Sequence, residues 1–331
     1  ETTHREECTD EIMQNLSSAE KNKLITDNPV QTTCHFQKRI EHIITQFMKP
    51  GWLESEDQDS SSSPSDDDDD EPCYFYRIEF QARGAPHVHM LCWCKDSSCQ
   101  DYPNLMNTPK EDLPQKLMEI AACHSKLIKT EIDDDLDQIL KDMVERYQTH
   151  CCTFSCHKKK MKLIIRKDEG WGVGVKPPKN AEELVVPVCR FGFARPPSDE
   201  TIALLGFSEN EDENTVLAAK KDYLGIRKFL LRSTYTPKGE KREDQPLYQK
   251  LITLSFKEFL QKVGMYQDIH EGSEEEQLIK AKSRYHLALR AGIKGQMAVF
   301  GKRSLRSLFI NNYNPFLMEL IQANHDLQYC G

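Results

Sequence analysis

The sequence predicts an α+β fold in which a central antiparallel sheet carries a His-x-His strand, with flanking helices and a Cys/His-rich insertion. Three patterns indicate this class. Apolar residues recur at helical spacing in residues 36–47 and 111–147. Two runs of alternating apolar residues meet at a turn inside residues 73–95. A dense group of Cys and His residues then begins at His150.

Size and composition exclude two classes of protein. The 331 residues are enough for two domains or one elaborated domain. No run of about 18 apolar residues occurs, which argues against a membrane protein. The first ten residues are polar, so we expect no secretory signal and interpret the twelve cysteines as reduced intracellular thiols and metal ligands. Because the chain starts at Glu1 without a Met, we expect it to be a piece of a longer protein.

An acidic, serine-rich segment accounts for the net charge of -9. Between Glu54 and Glu71 lie ten acidic residues and no Lys or Arg, so the rest of the chain is close to neutral. Such a run cannot bury apolar surface, and residues 51–72 are predicted to form a disordered loop. A loop of this charge could also mimic nucleic-acid phosphates, but a solvated insertion is the favoured interpretation.

The residues before the acidic loop, 1–50, are predicted to form an N-terminal helical segment. Ser17 or Ser18 can cap a short helix over residues 19–25. A longer helix follows Pro29, and a Pro-Gly pair ends it.

The chain after the acidic loop divides into three predicted segments. They are a hairpin with helices (73–147), a Cys/His-rich and basic segment (148–200) and a remainder (201–331). In the remainder, weaker helical patterns lie near residues 217–231, 254–264 and 276–291. No Gly-x-x-x-x-Gly-Lys-[Ser/Thr] motif occurs, so we expect no ATPase in this chain.

The His-x-His strand is the most informative pattern. His87 and His89 flank apolar Val88, so both imidazoles point to the same face of a strand. A hairpin that turns near Gly84 would set Glu79 opposite them. Two imidazoles and a carboxylate, with coordination positions left open, suit Mn²⁺ or Mg²⁺ together with a substrate phosphate. The alternative is a pair of histidines on a solvated strand, unrelated to Glu79.

The residues around this strand resemble a known family. The Helitron transposase proteins carry their HUH (His-hydrophobe-His) endonuclease motif in a segment that is similar to RIEFQARGAPHVHMLCW. The family's preceding helix resembles NPVQTTCHFQKRIEHIITQFM, and later Helitron-like segments resemble CRFGFARPP and INNYNPFLMELIQANHDLQY. The likeness covers roughly residues 28–331, and it is patchy between 198 and 295.

This resemblance implies rolling-circle chemistry. HUH enzymes nick single-stranded DNA with a tyrosine hydroxyl, leaving a 5′-phosphotyrosine link and a free 3′ hydroxyl. The resemblance assigns the catalytic and metal-binding roles to Glu79, His87 and His89, which would hold Mn²⁺ or Mg²⁺. No tyrosine pair here has the family's spacing, so we expect the nucleophile beyond Gly331.

A second metal site is predicted in the Cys/His-rich segment. Its C-x₃-C spacing suits a structural zinc ion, which a distant Cys or His must complete. The predicted ligands are His150, Cys152, Cys156 and Cys189. Cys151 or His157 can substitute for a member of this set. The resemblance supports the site, because Helitron-like proteins have a His/Cys cluster before their CRFGF segment. The alternative is a group of unligated cysteines.

Basic and aromatic side chains flank this zinc-binding insertion and predict contacts with single-stranded DNA. The basic residues assigned to nucleic acid are Lys158, Lys159, Lys160, Arg190 and Arg195. The interleaved aromatic residues are Phe154, Trp171, Phe191 and Phe193. A solvated lysine face is an equal alternative. The same two interpretations apply to a second basic cluster, composed of Lys294, Lys302, Arg303 and Arg306.

The sequence therefore predicts a metal-dependent single-stranded DNA endonuclease and strand-transferase domain of a Helitron-type transposase. We expect an intracellular, nuclear protein whose full-length form carries a C-terminal helicase, with no membrane partner. A second interpretation is a domesticated or decayed relative, a zinc-containing domain that binds nucleic acid without cutting it. A third is a zinc-stabilised interaction module in which the His-x-His pair is merely structural.

Overall fold

The computed structural model describes residues 16–47, 74–80, 86–92, 105, 108–152, 156–165, 182–267 and 269–328. The chain divides into two units, Glu1–Asp101 and Tyr102–Gly331. The predicted acidic loop, residues 51–72, lies outside the described residues, so its disorder stays a prediction. None of the described helices is long and apolar enough to cross a membrane.

The first unit begins with two consecutive helices, α1 (Ser18–Asp27) and α2 (Pro29–Phe47). The hydroxyl of Ser17 accepts a hydrogen bond from the Glu20 N–H (3.3 Å), and the Glu20 carboxylate accepts one from the Ser17 N–H (2.8 Å). This reciprocal capping box fixes the start of α1, because it satisfies N–H groups that a helix start leaves unpaired. The predicted cap is therefore confirmed at Ser17.

A hairpin follows in the same unit, formed by β1 (Tyr74–Phe80) and β2 (Pro86–Cys92). The two strands are antiparallel, with Glu79 opposite His87 and Arg77 opposite His89. Because side chains alternate between the two faces of a strand, these four residues share one face of the hairpin. The predicted hairpin is confirmed.

The second unit contains seven α-helices and four strands within its described residues. The helices are α3 (Leu113–Leu127), α4 (Gln138–Gln148), α5 (Glu213–Ser233), α6 (Pro246–Ile252), α7 (Phe256–Lys262), α8 (Glu274–Arg290) and α9 (Pro315–Ile321). The strands are β3 (His157–Ile165), β4 (Glu182–Cys189), β5 (Ile202–Leu205) and β6 (Met297–Phe300). The three weaker helical patterns of the sequence correspond to α5, α7 and α8.

The largest apolar core of the second unit lies around α5, α7 and α8. Leu230 on α5, Phe259 on α7 and Leu289 on α8 are fully buried in it. Tyr285 on α8 is also fully buried, and its hydroxyl donates a hydrogen bond to the carbonyl of Pro197 (2.7 Å). This bond attaches the segment that follows β4 to the core.

The strands of the described residues form three two-stranded antiparallel sheets, β1–β2, β3–β4 and β5–β6. The predicted mixture of helices and strands is therefore present, but a single central sheet that carries the His-x-His strand is not confirmed. β5 pairs with β6 although about a hundred residues separate them in the chain. Alternation of apolar residues identifies a strand but does not specify its partner.

Five described cysteines are reduced and form no disulfide bond, namely Cys34, Cys151, Cys152, Cys156 and Cys189. The buried Cys123 of α3 instead takes part in a disulfide bond. The expectation that the cysteines are reduced is therefore wrong at this position, because disulfide pairing depends on tertiary proximity and not on sequence spacing.

Candidate metal centres and nucleic-acid surface

Glu79, His87 and His89 converge on one face of the β1–β2 hairpin. The Nε2 atoms of the two imidazoles are 2.9 Å apart. Glu79 Oε2 lies 3.5 Å from His87 Nε2 and 3.2 Å from His89 Nε2. The predicted convergence of these three side chains is confirmed, and the hairpin register explains it, because Glu79 directly faces His87 and is diagonal to His89.

This triangle of atoms has the size that a shared cation requires. Two ligand atoms at about 2.1 Å from one ion are about 3 Å apart at a right angle and about 3.4 Å apart at a tetrahedral angle. The three side chains are 33–61% exposed, so a substrate can approach them. The group could therefore hold a metal ion while remaining open to solvent.

The second group consists of His150, Cys152, Cys156 and Cys189. Their ligand atoms all lie within 4.8 Å of one another, and Cys189 Sγ is 3.4 Å from His150 Nε2. The predicted gathering of these four residues is confirmed. The group contains Cys152 rather than Cys151 and His150 rather than His157.

Pairing of β3 with β4 brings the distant cysteines together. Residue 157 at the start of β3 lies opposite Cys189 at the end of β4, and the Arg190 N–H donates to the carbonyl of Cys156 (2.7 Å). Cys156 and Cys189 are 2% and 5% exposed. Burial, followed by the neighbouring thiols Cys189 and Cys156, raises the pKa of Cys152, so the Cys152 thiol stays protonated unless a cation stabilises its thiolate.

Burial and nearby positive charges keep His150 neutral. Its backbone N–H donates to the Phe309 carbonyl (2.7 Å), and its ring stacks on Phe193 with centroids 4.2 Å apart. Burial, then the positive charges of Arg242 and Arg195, lower the pKa of His150 to about 4. A neutral imidazole keeps a lone pair for a metal, which fits the donor set of a closed zinc site.

The predicted nucleic-acid residues of this segment have different environments. Lys158, Lys159 and Lys160 lie on β3, where the side chain of Lys160 is exposed and the other two side chains lie outside the described residues. Arg190 is exposed, and its guanidinium lies 4.5 Å from the ring centroid of Phe191, which is 52% exposed. An exposed aromatic ring beside a cation can stack on an unpaired base.

Arg195, by contrast, is committed to contacts inside the protein. Its guanidinium donates to Asn312 Oδ1 (2.6 Å), lies 3.6 Å from Asp326 and covers the ring of Phe193. These contacts join the CRFGFARPP segment to the INNYNPFLMELIQANHDLQY segment. Its role in binding nucleic acid stays a prediction.

One residue of the second basic cluster, Arg303, is buried in the structure. Arg303 is 4% exposed and donates hydrogen bonds to the carbonyls of Ser307 (2.6 Å) and Ile310 (2.7 Å). The interpretation of Arg303 as a surface residue is therefore wrong. Long basic side chains occur in both environments, and only the tertiary structure shows that this one organises a buried loop.

Sequence reasoning missed two arginines next to the candidate sites. Arg77 forms an ion pair with Glu79 and shares its strand face. Arg242 lies over the ring of Phe309, 3.3 Å from the centroid, close to His150. The two-residue spacing between Arg77 and Glu79 was a usable signal, whereas nothing in the sequence connects Arg242 to the Cys/His group.

One family model matches the first part of the chain. Residues 2–92 match the family described as the Helitron helicase-like domain at the N-terminus. No curated protein and no solved structure matches the chain. The matched residues include Glu79, His87 and His89, whereas the resemblance of the segments after residue 92 stays a prediction. Residues 2–92 of this chain are therefore similar to the Helitron helicase-like domain.

Proposed function

We propose that the Glu79, His87 and His89 group is the cation site of an HUH-type endonuclease and strand transferase that acts on single-stranded DNA. The observation that carries this proposal is the triangle of 2.9, 3.2 and 3.5 Å between their ligand atoms. Both strands of the hairpin that carries these three residues lie within residues 2–92, which match the Helitron helicase-like domain.

The residues of this site have distinct roles in the proposed reaction. His87 and His89 supply neutral nitrogen ligands, and Glu79 supplies a negative oxygen that offsets part of the cation's charge. A bound Mn²⁺ or Mg²⁺ would neutralise charge on the phosphoryl oxygens and orient the phosphate. The antiparallel pairing holds the three ligands in place before DNA binds, so little reorganisation is needed.

The nucleophile of the proposed reaction is a tyrosine hydroxyl, which we assign to no residue of this chain. Its oxygen forms a bond to the phosphorus, the bond from phosphorus to the 3′ oxygen breaks, and the tyrosine proton is transferred, through solvent or a base, to that 3′ oxygen. The products are a 5′-phosphotyrosine link and a 3′ hydroxyl.

The second unit would support the reaction by holding DNA. We propose that His150, Cys152, Cys156 and Cys189 bind a structural zinc ion, because four protein ligands leave no open position for catalysis. Nearby exposed groups, Lys160 and the Arg190–Phe191 pair, offer phosphate and base contacts. The proposed nuclear location and the C-terminal helicase rest on the family resemblance alone.

Calorimetric titration with Mn²⁺ tests this proposal directly. We expect the wild-type chain to bind one Mn²⁺. His87→Ala removes one of its three ligands and Glu79→Gln removes the ligand's negative charge, so each should weaken Mn²⁺ binding by at least about a hundredfold. His35→Ala serves as a matched control, since His35 is an exposed histidine on α2. Equal Mn²⁺ binding by all four proteins would refute the site.

A cleavage assay separates the endonuclease from a domain that only binds. A chain supplied with the nucleophilic tyrosine should form a denaturation-resistant adduct with single-stranded DNA in Mn²⁺, and His87→Ala should abolish it. Tight Mn²⁺ and DNA binding with no adduct under any such condition would favour the domesticated, non-cutting relative.

A further inference from the structure

Arg77 lies beside the Glu79, His87 and His89 group on the same face of the hairpin. It precedes Glu79 by two residues on β1 and directly faces His89 on β2. Its Nη2 atom forms an ion pair with Glu79 Oε1, whereas Glu79 Oε2 is the oxygen that faces the two imidazoles. Arg77 therefore holds the carboxylate in the orientation that directs Oε2 at His87 and His89.

Arg77 also retains hydrogen-bond donors for a ligand. A guanidinium carries five N–H donors, and among the described residues Glu79 is the one acid that pairs with Arg77. The Arg77 side chain is 67% exposed and neighbours His89, which is 61% exposed. A planar, permanently charged fork at an accessible site matches the oxygens of a phosphate better than an ammonium does.

We propose that Arg77 is the phosphate-binding residue of this site and the positioning residue of Glu79. One side of the guanidinium holds Glu79 Oε1, and the other receives a non-bridging oxygen of the DNA phosphodiester. A fixed cation at that oxygen stabilises the negative charge that develops during phosphoryl transfer. This inference rests on the proposed function, because the phosphate must lie at the cation site for Arg77 to reach it.

The Arg77→Gln variant can distinguish phosphate binding from an ion pair that serves only the fold. Exposed ion pairs contribute little to stability, so Arg77→Gln is expected to fold. It also leaves all three candidate ligands in place, and we expect its Mn²⁺ affinity to fall by no more than about fivefold, through looser positioning of Glu79.

The experiment measures the binding of a fluorescent single-stranded oligothymidylate in the presence of Mn²⁺. We expect Arg77→Gln to weaken binding at least about tenfold, because a charge-assisted hydrogen bond is lost. Arg77→Lys should recover part of the loss, since it restores the charge without the fork. Lys38→Gln removes the same charge from an exposed position on α2 and should change the affinity by less than about twofold.

A second comparison places Arg77 at the cation site rather than on a general basic surface. In a His87→Ala background, where the cation is lost, Arg77→Gln should cost less than about threefold. An Arg77→Gln variant that binds Mn²⁺ normally and DNA as tightly as the wild type would overturn this inference alone. An equal loss in both backgrounds would also overturn it. A wild-type chain that binds no Mn²⁺ would overturn the proposed function as well.

Discussion

Replacing Cys156 by Ser tests the Cys/His group most directly. Cys156 is 2% exposed, and its sulfur lies within 4.8 Å of the other three ligand atoms. We expect the wild-type chain, purified with zinc present, to contain one zinc ion. Cys156→Ser should contain almost none, because a serine hydroxyl stays protonated at neutral pH and is a poor zinc ligand.

The expected loss of stability follows from linkage between zinc binding and folding. Zinc at about a thousand times its dissociation constant stabilises the native state by about 4 kcal/mol. For a unit the size of Tyr102–Gly331, each kcal/mol shifts Tm by about 2–4 °C. Cys156→Ser, or a zinc chelator added to the wild type, should therefore lower Tm by about 8–16 °C.

Elemental analysis and differential scanning calorimetry measure the two effects. Cys151→Ser is the matched control, because Cys151 is exposed and lies outside the group although it adjoins Cys152. It should keep both the zinc and the Tm of the wild type, as should Cys34→Ser on α2. A zinc-free wild-type chain, or a Cys156→Ser variant with unchanged zinc content, would refute the reasoning.

Two further predictions concern the folding of the second unit. His124 is 3% exposed, and burial lowers its pKa to about 4, so its contribution to stability is complete above pH 6.5 and is lost as the pH falls towards 4. Between pH 7.5 and 5 the wild type should lose about 2 kcal/mol more than His124→Leu in urea unfolding, and parallel losses would contradict this. Arg303→Met should destabilise the chain by about 2–4 kcal/mol, because the carbonyls of Ser307 and Ile310 lose their donor. Arg306→Met, an exposed neighbour, should change stability by less than about 0.5 kcal/mol, and a similar effect of both substitutions would contradict the assignment.

Local signals explain why the first site was predictable. The alternation of His87 and His89 places both on one strand face, and the short connection to the preceding strand leaves few registers in which Glu79 can face them. The capping box at Ser17 and the helical patterns of α5, α7 and α8 are local in the same sense. Each depends on residues within a few turns or one hairpin of one another.

The Cys/His-rich segment and its C-x₃-C spacing were also visible in the sequence. His150, Cys152, Cys156 and Cys189 could therefore be predicted as a set. Spacing could not choose between Cys151 and Cys152, because adjacent residues differ only in the direction of their side chains. In the structure, Cys152 and not Cys151 belongs to the group.

By itself, the sequence determined which residue types can hold a cation and on which strand face they lie, since side-chain alternation is a property of the strand. Only the tertiary structure decided that β3 pairs with β4 and β5 with β6, that Arg303 is buried and that Arg195 joins two distant segments. It also decided that Arg77 and the imidazoles take different oxygens of Glu79. These outcomes depend on contacts between residues far apart in the chain or on side-chain rotamers. No periodic pattern in the sequence indicates such contacts or rotamers.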